Sequence, residues 1–224
     1  MSTIAIIGAG PGVGAAVARR FGAEGFAVAM IARNQEKLDE LVASINAEGI
    51  TTRGYAADVL DPGSLRAALS RAGSELGHID VLQYSPIPAR QYLKPVLDTS
   101  PDDLSTAFRF SVVGLRTAVD TVLPGMRSTG KGTIVLINGG TAVRARAHFA
   151  GTSVAFAGES ALGEMLHETL RDEGIHVTQL VVPGAIDPND PQRSARAIAE
   201  RIWRLHTERG EFRDFLSELN NQND

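Results

Sequence analysis

Short apolar or β-branched runs alternate with longer stretches of helical periodicity along the whole of this 224-residue chain. The runs at 3–7, 27–31, 51–55, 80–83, 132–138 and 176–182 predict six strands. Between them, 13–24, 35–47, 62–76, 101–127 and 152–173 predict helices, and a further helix is expected at about 194–206. In the fifth of these, Leu162, Met165, Leu166, Thr169 and Leu170 recur at helical spacing. Pro62 and Pro101 suit first helical turns, with Asp61 and Ser100 placed to cap them. Strands separated by long helices imply an α/β fold class: a doubly wound parallel sheet in a single domain. That domain is expected to run over 1–219, leaving the polar stretch 220–224 as a flexible tail.

Composition narrows the function classes. A hydrophobic content of 43% supports a sizeable core, and a net charge of −4 argues against an extended nucleic-acid footprint. The chain has no cysteine, which excludes disulfides and thiolate metal sites. His167, His176 and His206 fall on different elements without ligand spacing, so no metal site is expected. No Gly-x-Ser-x-Gly turn supports nucleophilic catalysis. The N-terminal apolar run is short, lacks a basic flank and is broken by Gly8. No stretch reaches the roughly 20 apolar residues of a membrane span. The expectation is a soluble, cytoplasmic protein with a small-molecule substrate and neither nucleic-acid nor membrane partners.

The first strand runs into Gly8-Ala9-Gly10-Pro11-Gly12-Val13-Gly14 and then into a helix. Such a turn lets backbone N–H groups approach a pyrophosphate, with the positive end of the helix dipole facing the anion. The second strand ends in Ala32-Arg33-Asn34, with no Asp or Glu between Phe26 and Gln35. A carboxylate there would accept from a ribose 2′-OH; Arg33 instead offers a guanidinium to a 2′-phosphate. Asp58, after the third strand, can accept from an adenine amino group, and Pro183-Gly184 closes the sixth strand. The expected cofactor is NADP(H) in a Rossmann-type fold, held by Gly8, Gly10, Gly12, Val13, Gly14, Arg33, Asp58, Val59, Pro183 and Gly184.

In this order the residues resemble the short-chain dehydrogenase/reductase family over roughly residues 3–185. The family's spaced glycines fall on Gly8, Gly12 and Gly14, its Asp-Val pair on Asp58-Val59 and its Pro-Gly turn on Pro183-Gly184. The resemblance implies an Asn in the central helix, a Ser after the fifth strand and a Tyr-x-x-x-Lys pair on the following helix. In the family, the tyrosine passes a proton to or from the substrate oxygen, and the lysine lowers its pKa. Here the Asn position holds Ser111, the strand is followed by Asn138-Gly139, and Thr152 and Phe156 stand where tyrosine and lysine are expected. The tyrosines are Tyr55, Tyr84 and Tyr92, and none has a lysine four residues on. Where the family shows Asn-Asn-Ala-Gly, this chain has Tyr84-Ser85-Pro86-Ile87.

Replacement acids are therefore sought elsewhere. Tyr84 is expected to face the cofactor crevice, and His148 lies on the 141–151 loop with a side chain suited to proton transfer. Asn138, Ser111, Thr152 and Ser153 can form an uncharged polar wall, and Arg144 and Arg146 can hold an anionic substrate or simply serve as surface charges. Three functions stay open: an atypical NADP(H) oxidoreductase acting on an already electrophilic substrate, a catalytically silent NADP(H)-binding or partner protein, and non-redox chemistry with a vestigial cofactor. The resemblance also implies a homodimer or homotetramer through the long helices after strands four and five. On the second of these helices, Ala155, Ala157, Gly158, Ala161 and Gly163 permit close approach, to a partner or to the sheet.

Overall fold

The computed structural model describes residues 1–219. Seven parallel strands form one sheet: β1 (Thr3–Ile7), β2 (Ala27–Ala32), β3 (Thr52–Ala56), β4 (Ile79–Tyr84), β5 (Gly132–Gly139), β6 (Ile175–Val182) and β7 (Arg213–Phe215), in the order 3-2-1-4-5-6-7. The order reverses between β1, which pairs with β2, and β4, which pairs with β1 on its other side. Crevices form at such a switch point, beyond the carboxyl ends of the strands. All six strands expected from the sequence form. β7 is an addition, because Arg-Asp-Phe carries no apolar run. It is fixed from outside by Leu216 N donating to Val181 O at 2.9 Å and by an Arg201–Asp214 ion pair.

The helices cover both faces. α1 (Val13–Ala23), α2 (Gln35–Ala47) and α7 (Ala195–Glu208) bury Val17, Phe21, Leu38, Ile45, Ile198 and Ile202 against one side of the sheet. α3 (Pro62–Leu76), α5 (Gly114–Thr129) and α6 (Ala150–Leu170) bury Leu65, Leu115, Val119, Ala155 and Leu166 against the other. Capping works as the sequence suggests. Asp61 Oδ1 accepts from Gly63 and Ser64 N–H, and Ser100 and Asp103 form a reciprocal box at the start of α4 (Pro101–Phe108).

The expected helix over 101–127 is corrected in one respect. α4 passes into a π turn, Arg109–Val113, before α5 continues to Thr129 with Pro124 inside it. The π turn rotates the helix faces after Phe108 and swings Ser111 fully into the interior. The expected tail at 220–224 lies outside the described residues. Among the described residues, no helix is long and apolar enough to cross a membrane, and no group of three His, Asp or Glu side chains gathers to hold a metal.

Candidate cofactor and substrate site

At the switch point the chain leaves two adjoining cavities. One, of about 360 Å³, lies among Gly8, Ala9, Arg33, Asp58, Val59 and Tyr92; the other, of about 690 Å³, among Gly10, Pro11, Arg33, Asn34, Lys37 and Glu40. Arg33 lines both. It is exposed, and among the described residues no ion pair or hydrogen bond engages its guanidinium. Asn34 is occupied otherwise: its Oδ1 accepts from Lys37 N at 2.9 Å and caps α2, which turns the Lys37 stem toward the larger cavity. Lys37 was not among the residues expected at the site; its signal is the Arg33-Asn34-x-x-Lys37 spacing at a helix start.

The glycines divide by role. Gly8 has φ +87°, and a Cβ on it would collide with the Ser85–Pro86 backbone, so this position serves the turn. Gly10 and Gly12 face open space instead. Gly12 precedes the first residue of α1 and gives it no side-chain cap, and the first turn holds no acid. That is a cradle for an anion: free N–H groups, a helix dipole and no competing carboxylate. The residues present therefore fit a dinucleotide. Asp58 spends one oxygen on Leu60 N at 3.0 Å and keeps its place on the cavity wall beside Val59. Val13 opens α1, and Pro183 with Gly184 (φ +72°) follows β6; these three line neither cavity.

The positions where a proton relay was sought are packed differently. Tyr84 does not face the crevice as expected: it is 0% exposed and its Oη donates to Phe110 O at 2.5 Å. Burial, with the carboxyls of Glu159 and Asp58 adding, raises its pKa well above the usual phenol value. Thr152 is buried in the first turn of α6, its hydroxyl donating to Phe149 O at 3.3 Å, and Phe156 belongs to the apolar core. His148 stands exposed on the loop before α6.

Ser111 and Asn138 meet at a residue the sequence reading missed. Glu159, on α6, is 1% exposed; Ser111 Oγ contacts its Oε2, and Asn138 Nδ2 donates to its Oε1 at 3.0 Å. The network continues inward. Gln179 Nε2 donates to Asn138 Oδ1 at 2.8 Å, and Gln179 Oε1 accepts from Ser160 Oγ at 2.8 Å and Arg213 Nε at 2.9 Å. Burial pushes the Glu159 carboxyl up to about 8, against the opposing pull of Ser111 and Asn138, so it carries its proton at neutral pH. The six side chains tie the π turn to β5, β6 and β7.

A glycine-paced first turn at the switch point of a doubly wound parallel sheet defines a nucleotide-binding α/β protein of the Rossmann type. Residues 2–198 match the family described as short chain dehydrogenase, and the chain belongs to that family. It is 33% identical over 139 residues to a 2,3-dihydro-2,3-dihydroxybenzoate dehydrogenase of Bacillus subtilis, covering 61% of this chain and 52% of that one. The chain spans about half the length of the first curated relatives it matches. A short-chain dehydrogenase from Rhodopseudomonas palustris superposes with a TM-score of 0.85 at 25% identity, over 97% of this chain and 98% of that one. A metagenomic short-chain oxidoreductase, solved in complex with NADP, shares the fold with a TM-score of 0.82 at 21% identity, over 96% of each chain.

Proposed function

We propose that this chain is an atypical NADP(H)-dependent oxidoreductase that reduces a small, already electrophilic substrate, such as an iminium or a conjugated acceptor, in the cytoplasm. The observation that carries this reading is Arg33, a guanidinium unpaired among the described residues and shared by two cavities at the end of β2, with no carboxylate in the 26–35 stretch to receive a ribose hydroxyl. Lys37 adds a second cation on the same wall, and Gly10, Gly12 and the uncapped start of α1 accommodate the pyrophosphate. When bound, the nicotinamide supplies a hydride. The chain's own residues bind and orient. Thr152 is too weak an acid to replace an activated phenol, and Tyr84 keeps its proton on Phe110 O. Proximity over the cofactor then supplies much of the rate, which suits a substrate needing little protonation.

The test is NADPH oxidation measured across ketones, cyclic imines and enones. Turnover of imines or enones with ketones inert supports the proposal; tight NADPH binding with none of them turned over favours a silent binding protein. That second reading draws on the buried, internally satisfied packing of Ser111, Asn138 and Thr152.

We further propose a homo-oligomer. Phe108, Val154 and Met165 are exposed apolar side chains on α4 and α6, whereas Ala155 and Gly163 pack inward.

A further inference from the structure

Most arginines of this protein that meet a carboxylate squarely do so with one edge of the guanidinium, the Nε–Nη2 side. Arg127 grips Glu173 with Nε at 2.6 Å and Nη2 at 2.8 Å, and Arg19 grips Glu48 with Nε at 2.9 Å and Nη2 at 2.7 Å. Arg201 holds Asp214 with the same two nitrogens. This edge matches the spacing of two carboxylate oxygens. In Arg146 the same two nitrogens, Nε and Nη2, are buried and have no hydrogen-bond partner. It is the one arginine with unpartnered buried nitrogens among the described residues. A guanidinium cannot shed its charge to relieve this, as a buried carboxyl or imidazole does.

The place of Arg146 makes the unfilled edge informative. It lies on the loop between β5 and α6, on the carboxyl side of the sheet where the crevice opens. Its backbone is fixed at both ends of the peptide unit: Arg146 N donates to Ser153 Oγ at 3.0 Å, and Arg146 O accepts from Phe149 N at 3.0 Å. The next residue is tied to the segment after β4, with Val96 N donating to Ala147 O at 2.8 Å, and Ala150 N donates to Lys94 O at 3.0 Å. That segment includes Tyr92, which walls the smaller cavity and packs against Gly151 at the start of α6. Arg146 thus stands on a loop whose backbone is tied to the segment that follows Tyr92, and its side chain lines neither of the two cavities. The edge is buried as well as unpartnered, so a ligand that takes it must displace the side chains around it.

We infer that Arg146 anchors the substrate, and that the substrate carries a carboxylate received side-on by Nε and Nη2. The inference rests on the proposed NADP(H) oxidoreductase and names its substrate class. The rest of the polar wall, Ser111, Asn138 and Thr152, is uncharged or internally satisfied, so Arg146 supplies the charge that selects an acid.

The experiment uses the full chain saturated with NADP⁺ and titrates pyruvate, 2-oxoglutarate and benzoate, each beside its methyl ester and beside phenyl phosphate. The readouts are calorimetry and the Arg Nε–H resonances. At least one acid is expected to bind about tenfold or more tightly than its ester and to shift the Arg146 Nε–H signal. Arg146→Gln should lose that preference, Arg146→Lys should recover part of it, and Arg66→Ala, on the exposed face of α3, should leave it unchanged. If Arg146→Gln fails to fold, the wild-type resonance and the Arg146→Lys titration decide alone. Equal binding of acid and ester, an unmoved Arg146 signal at millimolar acid, or preference for phenyl phosphate would overturn the inference. Failure of NADP⁺ itself to bind would instead overturn the proposed function, so the two failures are distinguishable.

Discussion

Replacing Glu159 by glutamine should make this protein more stable as pH rises, although it removes a buried, doubly hydrogen-bonded side chain. The carboxyl titrates at about 8 in the fold against 4.5 for a free glutamate, because burial penalises its charged form. Between those values the folded chain binds a proton that the unfolded chain has released, so stability falls with rising pH. At about 1.4 kcal/mol per pH unit, the loss reaches roughly 3 kcal/mol by pH 7 and on the order of 5 kcal/mol above pH 8. Glutamine cannot ionise in either state. Its Oε1 can accept from Asn138 Nδ2 and its Nε2 can donate to Ser111 Oγ, so it satisfies the same partners. Glu159→Gln should therefore match the wild type near pH 4.5 and exceed it by roughly 3 kcal/mol at pH 7, about 6–12 °C in melting temperature. The assay is urea unfolding of both proteins from pH 4.5 to 8.5, read as the difference. His176 works with the opposite sign: burial first, then His167, Arg209 and His206, hold it down to about 4, so its contribution is lost as pH falls from 6.5. Both proteins keep His176, and subtraction removes it. An offset that does not change with pH, or a variant weaker than wild type at pH 8, would refute a protonated Glu159.

Three further substitutions separate fold from site and surface from core. Gly8→Ala forces a side chain onto φ +87° and into the Ser85–Pro86 backbone, and should cost more than about 2 kcal/mol in denaturant unfolding. Gly12→Ala, facing open space, should keep the fold and weaken NADPH binding in a fluorescence titration. On the α6 surface, Val154→Glu adds charge to a side chain 54% exposed and should leave stability within about 0.5 kcal/mol. The same change should shift sedimentation from oligomer to monomer.

The sheet and its helices were legible because most strands are compact apolar runs and several helix starts carry a capping residue type with few other uses. Asp61 and Ser100 are examples. The π turn was not legible, since Arg109 to Val113 read as ordinary helix; only the inward Ser111 reveals the extra residue. β7 has no signal of its own and exists because β6 offers a free edge and Arg201 holds Asp214. Tyr84 was misplaced because a strand-end residue reads as crevice-facing, whereas its ring turns toward Gly114 and its hydroxyl ends on the π turn. Glu159 was hidden by the general rule that glutamate sits outside, a rule suspended where partners satisfy both oxygens. The place of the glycine turn at the end of β1 and of Arg33 at the end of β2 was readable because each follows directly on an apolar run in the sequence.

The most direct test of cofactor selection by Arg33 is the ratio of NADPH to NADH affinity, measured in wild type and in Arg33→Ala by quenching of intrinsic fluorescence. A wild-type preference for NADPH of about tenfold or more, abolished in Arg33→Ala with NADH affinity unchanged, is the expected result. Equal affinities in the wild type, or a preference that survives loss of the guanidinium, would contradict it.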